Sequence, residues 1–135
     1  EACFHPYHAA IRDLLAERSG EREQIAIVPI HSFTPVFGGF RRPWQIGVLW
    51  DEDGRLSVPF MDALEARGEV AVGDNEPYSA RENFGYSIEE HGAREGRPHM
   101  IVEIRQDLIE EAAGCDRWAG VVGEALDTAL ASLEQ

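Results

Sequence analysis

Three short apolar runs limit what this chain can fold into. Residues 24–31 (QIAIVPIH), 44–50 (WQIGVLW) and 98–105 (PHMIVEIR) are nearly unbroken in apolar side chains and too short for core helices. They read as strands buried on both faces, as in a parallel sheet. Between them the periodicity changes to that of helices. Residues 6–18 carry Pro6 in the first turn and apolar side chains at 7, 11, 14 and 15, and stop near Gly20. Residues 56–67 put Leu56, Phe60, Met61 and Leu64 on one face and end at Gly68.

Pro35, Gly38, Gly39 and Pro43 make 32–43 a loop, and 70–72 is a brief strand. A polar stretch from Tyr78 to Gly96 follows, with a short helix at 88–91. One or two helices close the chain, the second with Trp118, Val121, Val122, Leu126 and Leu130 as a core stripe. Strands interleaved with helices predict an α/β fold with a largely parallel sheet. With no repeat, low-complexity tract or linker, residues 1–135 are expected to form one domain.

The charge balance removes whole classes of function. Twelve basic residues, all Arg, stand against 25 acidic ones, a net charge of −13. Nucleic acid and anionic membrane surfaces call for the opposite sign. An anionic ligand would need locally concentrated Arg or His set into a repelling field. No apolar run approaches the ~18–20 residues that span a bilayer. Glu1-Ala2-Cys3-Phe4 lacks the basic start and apolar stretch of a signal peptide. Cys3 and Cys115 form no disulfide framework, which points to a reducing cytoplasm.

In open α/β sheets ligands bind beyond the carboxyl ends of the strands. Three polar clusters fall there: His31, then Asp74-Asn75-Glu76, then Glu103 with Arg105. His31 reads as a metal ligand or general base, or as a loop histidine bonding nearby backbone. Glu103 lies within an apolar strand, and an unpaired buried carboxylate is costly. Either a base such as Arg105 pairs it structurally, or it serves proton transfer or metal binding. Glu103 and Arg105 share one strand face, with Val102 and Ile104 on the other. His5 and His8 stand three apart at a helix start, where capping or packing competes with metal binding. Gly38-Gly39 with Arg41-Arg42 reads as an anion pocket or as a solvated loop.

Taken in order, several motifs resemble the N-formylglutamate amidohydrolase family. They are Tyr7-His8-Ala9-Ala10-Ile11, His31-Ser32-Phe33-Thr34-Pro35, residues 42–49 (RPWQIGVL), residues 73–79 (GDNEPYS), Tyr86, His91-Gly92 and residues 103–108 (EIRQDL). The resemblance covers about residues 4–120. It implies a three-layer α/β/α fold like the zinc-dependent exopeptidases, with a mixed, largely parallel central sheet between helices. It also implies metal-dependent hydrolysis of N-formyl-L-glutamate or a related N-acyl amino acid, with a small-molecule substrate and neither nucleic acid nor membrane as partner.

Carried over by motif, the resemblance makes His31 a zinc ligand and Glu103 the general base. Arg105, Asn75 and Tyr78 would face substrate, with His91 a further candidate. Arg105 or an Arg of the Arg41-Arg42 loop, taken as Arg42, would clamp a substrate carboxylate. The family's early metal motif and its acidic ligand are not in this sequence. The expectation is that they lie before Glu1 and that these residues correspond to the C-terminal half of such a protein. The alternative is a non-catalytic domain that binds small carboxylates and lacks the metal site.

Overall fold

A computed structural model of the chain describes residues 2–21, 24–82 and 85–135. Its elements run α1 (Phe4–Ser19), β1 (Ile30–Phe33), β2 (Val36–Phe37), β3 (Phe40–Arg41), β4 (Ile46–Leu49), α2 (Ser57–Glu65), β5 (Val72–Asp74), α3 (Tyr86–His91), β6 (Ile101–Arg105) and α4 (Ala112–Leu133). Short 3-10 turns occupy Ala93–Glu95 and Gln106–Leu108. Four strands form one sheet in the order β1-β6-β4-β5. The β1–β6 and β4–β5 pairs are parallel, and the central β6–β4 pair is antiparallel. The result is the largely parallel sheet flanked by helices that the element order predicts, made mixed by its one antiparallel pair, as the family resemblance implies.

The larger core lies on one face of the sheet. There Ile46, Val48, Val102 and Ile104 pack against Leu56, Phe60, Met61 and Leu64 of the α2 region and Trp118, Val121, Val122, Ala125 and Ala129 of α4. The three-to-four spacing on α4 gives it a continuous apolar stripe, and each large side chain so buried contributes roughly 1.5–3 kcal/mol. The stripe is shorter than expected, since Leu130 is exposed. A smaller cluster of Leu49, Ala80, Ile88 and Ile101 covers part of the opposite face. On β6, alternation therefore sends Val102 and Ile104 into the main core and leaves Glu103 for the other side.

Several boundaries differ from the sequence expectation for identifiable reasons. The apolar run at 24–31 yields strand only from Ile30, with Ile27 making an isolated bridge to His99. Pro29 has no N–H to give a ladder, and β1 is the sheet's edge, so Ile30, His31 and Ser32 are exposed rather than buried. The stretch 32–43 is not only loop. β2 and β3 pair as an antiparallel hairpin whose turn residues, Gly38 and Gly39, both have positive φ (58° and 80°), as a tight two-residue turn requires. The polar stretch from Tyr78 to Gly96 falls within the described residues except for 83 and 84. No helix among the described residues is long and apolar enough to cross a membrane.

Candidate active site

One row of residues crosses the sheet directly. In register, His31 of β1 lies opposite Glu103 of β6, Glu103 opposite Gly47 of β4, and Gly47 opposite Gly73 of β5. Directly opposed residues share a face, so the carboxylate of Glu103 stands between an imidazole and two positions without side chains. Those two glycines are required. A Cβ on Gly47 would strike the backbone oxygen of Glu76, and one on Gly73 would lie 2.5 Å from that same oxygen. The chain after β5 therefore lies down on the sheet beside Glu103. Asn75, held at φ 53°, makes that turn: its Oδ1 accepts from the backbone N–H groups of Trp50 and Ala80, each at 3.1 Å.

Glu103 is buried, and its Oε2 has no hydrogen-bond partner among the described residues. Its Oε1 lies 3.4 Å from Nδ1 of His31, whose side chain is 57% exposed. Burial pushes the Glu103 carboxyl above the usual range, while His31 and the more distant charge of Arg42 pull it back down. A carboxylate so placed is a proton acceptor with an unengaged oxygen, which general-base chemistry needs.

Arg42 is the second unusual group, a guanidinium on a residue only 5% exposed. Its Nη1 donates to the carbonyl of Thr34 (3.2 Å), to Thr34 Oγ1 (3.4 Å) and to the hydroxyl of Tyr78 (3.1 Å). The rings of Tyr78, Phe37 and Phe33 lie 4.9, 5.0 and 5.7 Å from its central carbon. No described acidic residue forms an ion pair with it, and its Nε and Nη2 bond to no described residue. A desolvated cation held by aromatic faces and lacking a counter-ion attracts a carboxylate.

Arg105 behaves differently from Arg42. It grips Asp107 through two bonds, Nε to Oδ1 at 2.7 Å and Nη2 to Oδ2 at 3.2 Å. Its Nη1 reaches the carbonyls of Arg42, Pro43 and Trp44. The fork is fully occupied, and the Arg105 bond holds the Asp107 carboxyl below its ordinary range. Arg105 neither touches Glu103 nor offers a nitrogen to a ligand; it fixes the strand-to-strand connection that carries Arg42.

The structure thus brings together His31, Glu103, Arg42 and Tyr78, and it gives the other candidates different surroundings. Asn75 is occupied in shaping its turn. His91 is buried on α3 with its Nε2 2.9 Å from Nδ1 of His8, one ring donating and the other accepting. That pairing also shows that His8 looks toward α3 and not toward His5. His91 does share with His31 the lining of a cavity of about 400 Å³ between α1 and the residues leading into β1. Sequence reading missed Phe37 and the two sheet glycines. The glycines had a signal, because a lone Gly inside an apolar strand marks a close backbone approach.

No group of three or more His, Cys, Asp or Glu side chains gathers among the described residues in a way that could hold a metal. A catalytic zinc takes three protein ligands and keeps one open position. His31, an exposed imidazole beside a buried carboxylate with an orphaned oxygen, fits as one such ligand and does not complete a site.

Two solved structures share this architecture. Gene product Atu2144 from Agrobacterium tumefaciens matches with a TM-score of 0.89 at 32% identity, over 96% of this chain and 51% of that one. N-formylglutamate amidohydrolase from Ralstonia eutropha JMP134 matches with a TM-score of 0.68 at 19% identity, over 97% of this chain and 53% of its own, a likeness of fold alone. The chain thus spans about half the length of the structures it matches. No curated protein gives a significant match. The class is therefore that of mixed-sheet α/β proteins with helices on the sheet faces. Within it the chain belongs to the N-formylglutamate amidohydrolase family, whose sequence model matches residues 1–110.

Proposed function

We propose that these residues form the substrate-handling part of a metal-dependent amidohydrolase acting on N-formyl-L-glutamate or a related N-acyl amino acid. The observation that carries the reading is Glu103, a buried carboxylate with a free oxygen, beside His31 and within the field of Arg42. Family membership supplies the reaction class.

In this mechanism Arg42 takes the substrate carboxylate through its unengaged nitrogens, and Tyr78 and Phe37 hold the guanidinium in place. That anchoring sets the amide near Glu103. Glu103 removes a proton from the attacking water and returns it to the leaving nitrogen. His31 would hold a divalent ion, zinc in this proposal, as one ligand, with the remaining ligands coming from polypeptide outside these residues. When bound, such an ion lowers the pKa of a water towards ~7 and polarises the acyl oxygen. Hydrolysis adds one water across the C–N bond, giving formate, or another carboxylate, and the free amine.

The test is release of formate from N-formyl amino acids with zinc supplied, repeated after a chelator. Chelator-sensitive release supports the reading. Binding without release by a protein that also carries the remaining metal ligands would instead make these residues a small-carboxylate-binding domain, whereas no release by these residues alone leaves both readings standing.

A further inference from the structure

We propose that the His8–His91 contact is an acid-sensitive latch: it docks α1 on α3 while one of the two facing nitrogens is bare, and a second proton releases α1 and opens the cavity behind it. Neither histidine has a part in the mechanism above. Each nevertheless lies in a motif that carries the family resemblance, Tyr7-His8-Ala9-Ala10-Ile11 and His91-Gly92.

The geometry sets the rule. His8 and His91 are buried, their facing nitrogens stand 2.9 Å apart, and their rings stack with centroids 5.2 Å apart. One proton serves both nitrogens, because one must donate and the other accept. With a proton on each, two N–H groups and two positive rings would meet in a pocket walled by Phe4, Tyr7 and Tyr86. A buried charge without a partner is costly, and parting the rings relieves it.

The neighbours do little to answer that second charge. Arg12 of α1 and Arg97, whose Nη1 donates to the His91 carbonyl at 2.9 Å, both oppose a proton on His91. Glu90 of α3 favours one but is bonded to Arg94, and Glu95 lies 3.9 Å from Arg97. Across the cavity, residues 25–29 bring only apolar side chains, with His31 beyond them, and Arg18 on the cavity wall pairs with Glu21. Burial, and then His8, hold the pKa of His91 below its usual 6.5.

The helix depends on this docking. His8 and Leu15 are its buried side chains; no side chain caps its N-terminus, and no acidic residue stands in its first turn. Undocked, it has little of its own to keep sixteen residues helical. Released, it carries off Tyr7, Ile11, Leu14 and Leu15, one wall of the cavity of about 400 Å³ that His31 also lines. Opening returns His91 to its usual 6.5, above the docked value. Opening therefore takes up a proton below that pH, and the released population grows about tenfold per pH unit until the docked pKa is reached.

The test is native-state hydrogen exchange of the whole chain from pH 8 to 5, with rates divided by their intrinsic values. Protection of residues 4–19 should fall about tenfold per pH unit below 6.5. It should stay far below that of β4 and β6 and respond only weakly to urea, as a local opening does. His91→Gln and His8→Gln each keep a hydrogen-bonding side chain and lose one titration, so either should flatten the acid response of α1. The latch is overturned if α1 and the sheet share one protection factor and one urea slope. Protection of α1 that stays level from pH 8 to 5 also overturns it, as does an acid response undiminished in both glutamine variants.

Discussion

Arg105 holds Arg42 by its backbone: Nη1 of the one lies 3.3 Å from the carbonyl oxygen of the other, and 3.1 Å from that of Trp44 two residues on. A side chain that reads as a substrate ligand in the sequence is thus a brace for the real candidate. Lysine keeps the charge and cannot reproduce the fork. Arg105→Lys should therefore destabilise the chain by about 1–3 kcal/mol in urea unfolding. Carboxylate ligands should bind more weakly to it as well, even though the residue touches none of them. An unchanged affinity would separate Arg42's position from Arg105.

Glu103→Gln keeps the shape of the buried group and removes its basicity. Turnover should fall by ~10² or more, as for a lost acid–base group. Circular dichroism should stay unaltered, because the replacement buries no charge. Turnover equal to that of the parent would take Glu103 out of the mechanism.

The His8–His91 contact gives a pH dependence of defined sign. Burial, and then the proximity of His8, lowers the pKa of His91 below its usual 6.5, with Arg12 and Arg97 adding to the effect and Glu90 opposing it. The folded form therefore disfavours the proton. Stability should be level above about pH 6.5 and fall as the pH drops below that value towards the folded-state pKa. His91→Phe should flatten this dependence in unfolding curves taken from pH 8 to 5. A slope that survives the substitution would place its origin elsewhere.

Much of this arrangement is readable in the residues, and the exceptions have physical causes. The apolar stripe of α4, the buried strand at 46–49 and the placement of Val102 and Ile104 opposite Glu103 follow from periodicity alone, because one face of each element has to leave water. His31 and Glu103 stand out for the same reason, as polar groups set in apolar runs. Periodicity does not report which strand lies at an edge. Residues 24–29 look like a core strand in sequence, yet β1 begins only after Pro29. Nor does it say which of several arginines is already satisfied: Arg105 and Arg42 differ only in their partners, and Asp107, two residues beyond Arg105, decides between them. The hairpin at Val36–Arg41 is hidden because its strands are two residues each.

Glycine positions divide into those that need hydrogen and those that do not. Gly47→Ala drives a methyl into the Glu76 carbonyl and should cost about 1–3 kcal/mol or more, as overpacking does. Gly120 is exposed within α4, and a methyl there would meet open space, so its replacement by Ala should add roughly 0.5–1 kcal/mol of stability. Thermal unfolding of the pair should move in opposite directions. Parallel shifts would mean that the loop over Gly47 gives way freely.

The two glycines of the sheet row have a wider consequence. By leaving the floor bare, they let a connecting segment lie on the strands and deliver Tyr78 to Arg42 from above. His31 and Glu103 are rooted in the hydrogen-bonded ladder, whereas Tyr78 reaches Arg42 from a covering loop. The two can diverge independently. Changes between residues 76 and 78 can therefore alter the surroundings of Arg42 while His31 and Glu103 keep their register.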